Sequence, residues 1–90
     1  MPERRVVVGS SVGLHARPAA LFVQAATRQS VNVLIGKDGG EFVDARSILS
    51  VIGLDAKGGD EIVLRAEGED ADAALDELAH MVATDHDAQG

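Results

Sequence analysis

Residues 13–20 read GLHARPAA and set an imidazole (His15), a guanidinium (Arg17) and a proline (Pro18) within four positions. Pro18 lacks a backbone N–H and has a fixed φ, which suits the first turn of a helix beginning near Ala16. His15 then stands at the helix start, beside N–H groups that have no acceptor inside the helix and whose partial positive charge favours an anion. The backbone N–H groups of Ala16 and Arg17 are the nearest such donors. The Arg17 guanidinium, two residues from His15, could add a charge-assisted bond to the same anion. A neutral imidazole is a nucleophile, and with an ordinary pKa of about 6.5 roughly three quarters of such rings are neutral at pH 7, so no general base is needed. A phosphoryl group carried on the ring would have its oxygens met by these donors, as a loose phosphoryl-transfer transition state requires. No acidic residue lies between Gly9 and Gln29. The expectation is therefore a site without a local metal ligand or water-activating carboxylate, able to hold phosphate without hydrolysing it. A histidine at a helix start is by itself equally compatible with a plain surface residue or a weak cap; the conjunction is what points to chemistry.

The elements that must position these groups are short and alternate in type. Residues 4 to 9, RRVVVG, are β-branched and end at a glycine, which predicts a first strand. From Ala16 to about Arg28 there is no breaker, and Ala19, Phe22, Val23 and Ala26 recur at helical spacing. Residues 31 to 36 put Val31, Val33 and Ile35 on one side of a strand, and GKDGG turns it into EFVDA as a hairpin. ILSVIGL, after Ser47, predicts a two-turn helix that stops near Gly53 and is capped by the Ser47 hydroxyl. In residues 61 to 66, Ile62, Leu64 and Ala66 alternate with Glu61, Val63 and Arg65, the period of a half-buried strand. Asp70 or Asp72 could cap a last helix whose stripe is Ala71, Ala74, Leu75, Leu78 and Val82. The order strand, helix, strand, strand, helix, strand, helix, with one wet face on the sheet, predicts an α+β open-faced sandwich: a four-stranded, mainly antiparallel sheet with three helices on one face.

Composition narrows the function classes. Ninety residues, 46% of them hydrophobic, suit one domain spanning 1–90 with a modest core and a polar tail from about residue 84. Fifteen acids against eight bases repel a nucleic-acid backbone at long range, and two aromatic side chains leave little for stacking on bases. With no cysteine there are no disulfides, thiolate nucleophiles or common structural zinc sites. Neither a signal segment nor a run of about 18 apolar residues is present, so a cytoplasmic protein without direct membrane insertion is expected.

Taken together, GLHARPAA, SILSVIGL at 47 to 54 and AKGGDEIVL at 56 to 64 resemble the signatures of HPr, the histidine-containing phosphocarrier family of the phosphoenolpyruvate-dependent sugar phosphotransferase system. The resemblance covers nearly the whole chain and implies a βαββαβα fold. It implies that His15 accepts a phosphoryl group on Nδ1 from enzyme I and passes it to sugar-specific IIA domains, with Arg17 assisting. The family is a relay and not an enzyme, works without a cofactor, and draws its phosphate ultimately from phosphoenolpyruvate; a monomer suffices. By the family pattern Val51 and Leu54 face the core, while Ile48, Leu49 and Ile52 form an apolar patch near His15 where partners dock, extended by Ala20, Gln24 and Arg28. In some members the serine matching Ser47 is phosphorylated by a regulatory kinase, which places charge beside that patch. The chain departs from common patterns: GKDGGEF is one residue longer, Ser50 stands where glycine is frequent, and Arg46 replaces a lysine. These bear on partner choice.

Two other readings use the same residues. A nitrogen-related phosphocarrier would share the histidine but serve different IIA partners, whereas regulatory HPr-like binding modules typically lack the histidine. A metal site built from His80, His86, Asp85 and Asp87 is disfavoured, since His80 lies about 200° from Leu78 around the last helix and i, i+6 spacing does not align ligands.

Overall fold

A computed structural model describes residues 2–9 and 13–84. Its elements run β1 (Glu3–Val7), α1 (Ala16–Thr27), β2 (Val33–Lys37), β3 (Phe42–Asp44), α2 (Ile48–Gly53), β4 (Glu61–Ala66) and α3 (Ala71–Ala83). The four strands form one sheet in the order β1-β4-β2-β3, and every pairing is antiparallel. This is the expected open-faced sandwich.

Register explains which face is covered. Val6 opposes Ile62, Leu64 opposes Ile35, and Ala66 opposes Val33, so the β-branched and leucine side chains stack on one face. Against them lie Phe22, Ala19, Ala25 and Ala26 of α1, Val51 of α2, and Ala71, Ala74, Leu75, Leu78 and Val82 of α3. Each fully buried Phe, Leu or Ile contributes about 1.5–3 kcal/mol relative to an exposed one. The stripe expected for the last helix matches its buried set, whereas in the first helix Val23 is only half-buried and Ala25 and Pro18 replace it inside.

The other face departs from simple alternation. Val63, expected on the wet side, is buried at 3% exposure. It opposes Arg5 on one side and Gly36 on the other, and Gly36 leaves room for Phe42, whose ring lies close over it. The Arg65 guanidinium stacks 4.0 Å from that ring centroid and pairs with Glu3 at 2.6 Å. Arg5 bridges Asp38 at 2.7 Å and Glu61 at 3.1 Å, and the bond to Asp38 raises its already high pKa further. Long charged side chains thus roof the centre of a face that alternation alone marks as open.

Boundaries shift for local reasons. The first strand ends at Val7, and the chain leaves the sheet by residue 9, where Gly9 N–H donates to the Val82 carbonyl of α3 and no longer to β4. The second begins at Val33; Val31 is half-buried against the core ahead of it. Asp70 occupies the N-cap position of α3 without a side-chain cap bond, since its carboxylate accepts from the Ser30 hydroxyl at 2.8 Å. Asp72, in the first turn, pairs with Arg4 at 3.6 Å. Among the described residues, no helix is long and apolar enough to cross a membrane.

Candidate functional site

The site forms where two loops are fastened together. Leu14 is buried in the core, and its N–H donates to the Ala56 carbonyl at 2.8 Å. Gly13, at φ +78, lies against the backbone of Ala56 and Lys57 too closely for any side chain. The segment entering α1 is thereby tied to the one leaving α2.

His15 is the N-cap residue of α1, extended at φ −129 and ψ 163, and its side chain makes no capping bond. A weak-cap role is thus absent, and the ring is left at 35% exposure for other use. Helical hydrogen bonding begins with Ala19 N–H to the His15 carbonyl at 3.4 Å. The N–H groups of Ala16 and Arg17 precede the first intrahelical bond, and Pro18 has none to offer. Ala16 is left-handed at φ +48, an uncommon state for alanine that costs on the order of 1–2 kcal/mol. The chain turns sharply there, and Pro18, buried, anchors the turn that follows. Arg17 is exposed beside it.

The structure corrects one expectation. The sequence around the histidine holds no acid, yet the fold brings Asp55 to it: the Asp55 Oδ1 atom lies 3.3 Å from His15 Nε2. Asp55 follows α2 at φ +53, its N–H bonded to the Ile52 carbonyl, in the left-handed position that often ends a helix and usually takes glycine. Its second oxygen faces the Lys57 ammonium at 3.9 Å. Local spacing could not reveal this residue; an acid directly after Leu54, where a helix stop invites glycine, was the one available sign.

The expected docking residues divide. Leu49 is 81% and Ile48 37% exposed, while Val51 is fully buried, as the family pattern implied. Leu54 is half-buried and packs on the core. Ile52 is half-buried and packs against the core, so less of it is open to a partner than of Leu49 or Ile48. Ala20 is half-buried, and Gln24 and Arg28 are exposed on α1, which packs against α2. Ser47 caps α2, accepting from Ser50 N–H at 3.4 Å while its hydroxyl donates to the Ser50 Oγ at 3.0 Å. The Asp44 carboxylate accepts from Arg46 N–H and the Asp44 carbonyl from Ser47 N–H, which sets the turn into this cap. Among the described residues no three His, Asp or Glu side chains cluster as a metal site; Asp85, His86 and Asp87 lie outside those residues.

Comparison with known proteins follows the same residues. The family described as "PTS HPr component phosphorylation site" matches residues 2–84. The phosphocarrier protein HPr of Streptomyces coelicolor is 57% identical, over 92% of this chain and 89% of its own. The HPr-like protein Crh of Bacillus subtilis is 45% identical, over 91% of this chain and 95% of its own. A crystal structure of a phosphocarrier protein HPr from Bacillus anthracis superposes with a TM-score of 0.85 at 44% identity, covering 90% of this chain and 95% of that one.

Proposed function

The chain belongs to the HPr family of phosphocarriers, and from that premise we propose that His15 accepts a phosphoryl group on Nδ1 from enzyme I and passes it to sugar-specific IIA domains. The observation that carries this reading is the placement of His15 as the N-cap of α1: its ring is partly exposed and stands beside first-turn N–H groups that no helical carbonyl engages. The Asp55 carboxylate faces Nε2 at 3.3 Å and favours a proton there, which leaves the electron pair of Nδ1 for phosphorus. Arg17 and the Ala16 and Arg17 N–H groups hold the phosphoryl oxygens, and Leu49 with Ile48 docks partners. Phosphoenolpyruvate is the ultimate donor and no cofactor is required. Partners engage the same surface in turn, which needs only one copy of the chain. Likeness to Crh raises the alternative of a regulatory module; the presence of His15 favours the carrier.

Incubation with enzyme I and labelled phosphoenolpyruvate is expected to give an acid-labile phosphate on the chain. Label retained by His15→Ala would remove the assignment. Transfer from the phosphorylated chain to sugar IIA domains, and not to nitrogen-related ones, is the outcome that distinguishes the two branches. A serine kinase acting on Ser47 would place its phosphate at the start of α2, beside the same docking surface.

A further inference from the structure

We infer that Asp55 is a positioning residue for His15: it holds the ring as the Nε2–H tautomer and so dedicates Nδ1 to the phosphoryl group. Asp55 Oδ1 is 3.3 Å from Nε2, an ion-pair distance not aligned as a hydrogen bond, and a carboxylate that close repels a lone pair and attracts a proton, so it favours the proton on the ring nitrogen it faces. Lys57 engages the other oxygen, which leaves Oδ1 to the imidazole. At φ +53 the backbone favours glycine, and aspartate is among the few other residues that adopt it readily, so the turn can carry this carboxylate at little cost. The loops cannot drift apart, because Leu14 N–H is bonded to the Ala56 carbonyl and Gly13 abuts the Ala56–Lys57 backbone. The carboxylate is therefore held in register with the ring by covalent neighbours on both sides.

The consequence for transfer rests on the phosphocarrier reading. The Nδ1 electron pair forms the new P–N bond as the bond from phosphorus to the donor's nitrogen breaks and returns its pair to that donor. No proton leaves His15. The product ring is substituted at Nδ1, retains its Nε2 proton and is cationic; the Asp55 carboxylate 3.3 Å away stabilises that cation by its charge. Onward transfer reverses the step and restores the neutral Nε2–H ring. Since the two ring nitrogens point in diverging directions, the carboxylate lies away from the phosphorus and is not placed to direct water at it. The acid thus does not turn the carrier into a phosphatase. The charged groups near the ring are Asp55 in space, Lys57 through its contact with Asp55, and Arg17 by its place two residues on in α1.

Nitrogen-15 NMR of histidine-labelled, unphosphorylated chain reads the tautomer directly, and two variants separate bond from charge. Wild type is expected to carry the neutral ring's proton on Nε2. Asp55→Gly, which suits the left-handed backbone, should raise the Nδ1–H fraction and slow phosphoryl transfer from enzyme I about twofold to fivefold, the worth of a partly exposed ion pair. Asp55→Asn offers an amide oxygen to the same proton and should restore the tautomer while recovering only part of the rate. A wild-type proton on Nδ1, an unchanged tautomer ratio in Asp55→Gly, or an Asp55→Asn ring as mixed as that of Asp55→Gly would each overturn the inference. If enzyme I fails to phosphorylate even the wild type, the carrier reading falls, and the tautomer measurement still decides the role of Asp55 at the ring.

Discussion

The backbone of Gly13 lies so near that of Ala56 that a Cβ at position 13 would stand 2.2 Å from the Ala56 carbonyl oxygen and 2.8 Å from the Lys57 Cα. Both neighbours are main chain, so neither can swing aside. At φ +78 the backbone is itself left-handed. Gly13→Ala is therefore expected to lower unfolding free energy by about 2–4 kcal/mol, the sum of backbone strain and forced loop separation. Urea unfolding measures it; an unchanged midpoint would mean that the two loops part without cost.

Ser47 holds α2 through its cap bond to Ser50 N–H. Ser47→Ala should cost about 1 kcal/mol, the usual loss when a capping hydroxyl is removed. Ser47→Asp keeps an acceptor at the cap and should unfold close to wild type, while its charge lowers affinity for partners docking on Leu49. Thermal melts and a IIA binding titration together check both halves. If Ser47→Asp bound as tightly as wild type, charge at this position would not govern docking.

Leu49 is 81% exposed. Leu49→Asp should change stability by no more than about 0.5 kcal/mol, as surface substitutions generally do. Its effect should fall on partner affinity, raising the concentration of chain that half-saturates enzyme I. Kinetics with Leu49 unaffected would move the docking surface elsewhere.

Asp60 accepts Lys57 N–H at 3.0 Å and faces Lys37 at 3.4 Å. The backbone bond from Lys57, joined by the Lys37 ammonium, outweighs desolvation and holds its pKa below the ordinary carboxylate value. A depressed folded pKa gives stability that is present above the unfolded pKa, about 3.9, and is lost as pH falls through the folded value. Asp60→Asn should therefore flatten the acid limb of the stability curve below about pH 4, with little change in its shape above pH 5. Unfolding free energies across pH 2–6 test the sign.

The elements were legible where one periodicity ruled. The stripe of α3 could be read from Ala71 to Val82 because a surface helix has one buried face, and Ser47 could be read as a cap because a hydroxyl before an apolar run has a specific local use. Residues whose environment is made by distant chain were not legible. Val63 alternates correctly yet is buried, since Phe42 of β3 and Arg5 of β1 arrive beside it from other strands and Arg65 of its own strand lies over the Phe42 ring. Asp70 has the right type for a cap but meets Ser30 instead. Within the site, His15 and Arg17 announced themselves by sitting beside Pro18, while Asp55 reaches the histidine only once Gly13 and Ala56 are in contact.

The sheet order gives the chain a schedule as well as a shape. β1 pairs with β4 alone, joining Glu3 to Arg65 across most of the chain, and the loop beneath His15 is anchored on residues just ahead of β4. Pairings this distant in sequence close late, after local helices have formed. During synthesis the N-terminal strand must therefore wait unpaired until β4 emerges from the ribosome. Stalled nascent chains ending before residue 60 are expected to lack a protected β1, and those that expose β4 to gain it; protection in the shorter chains would contradict this order. The histidine is translated early, but the loop contact of Leu14 with Ala56 that fixes its surroundings forms only once residue 56 has been made, so on the phosphocarrier reading an unfinished chain should be a poor phosphate acceptor.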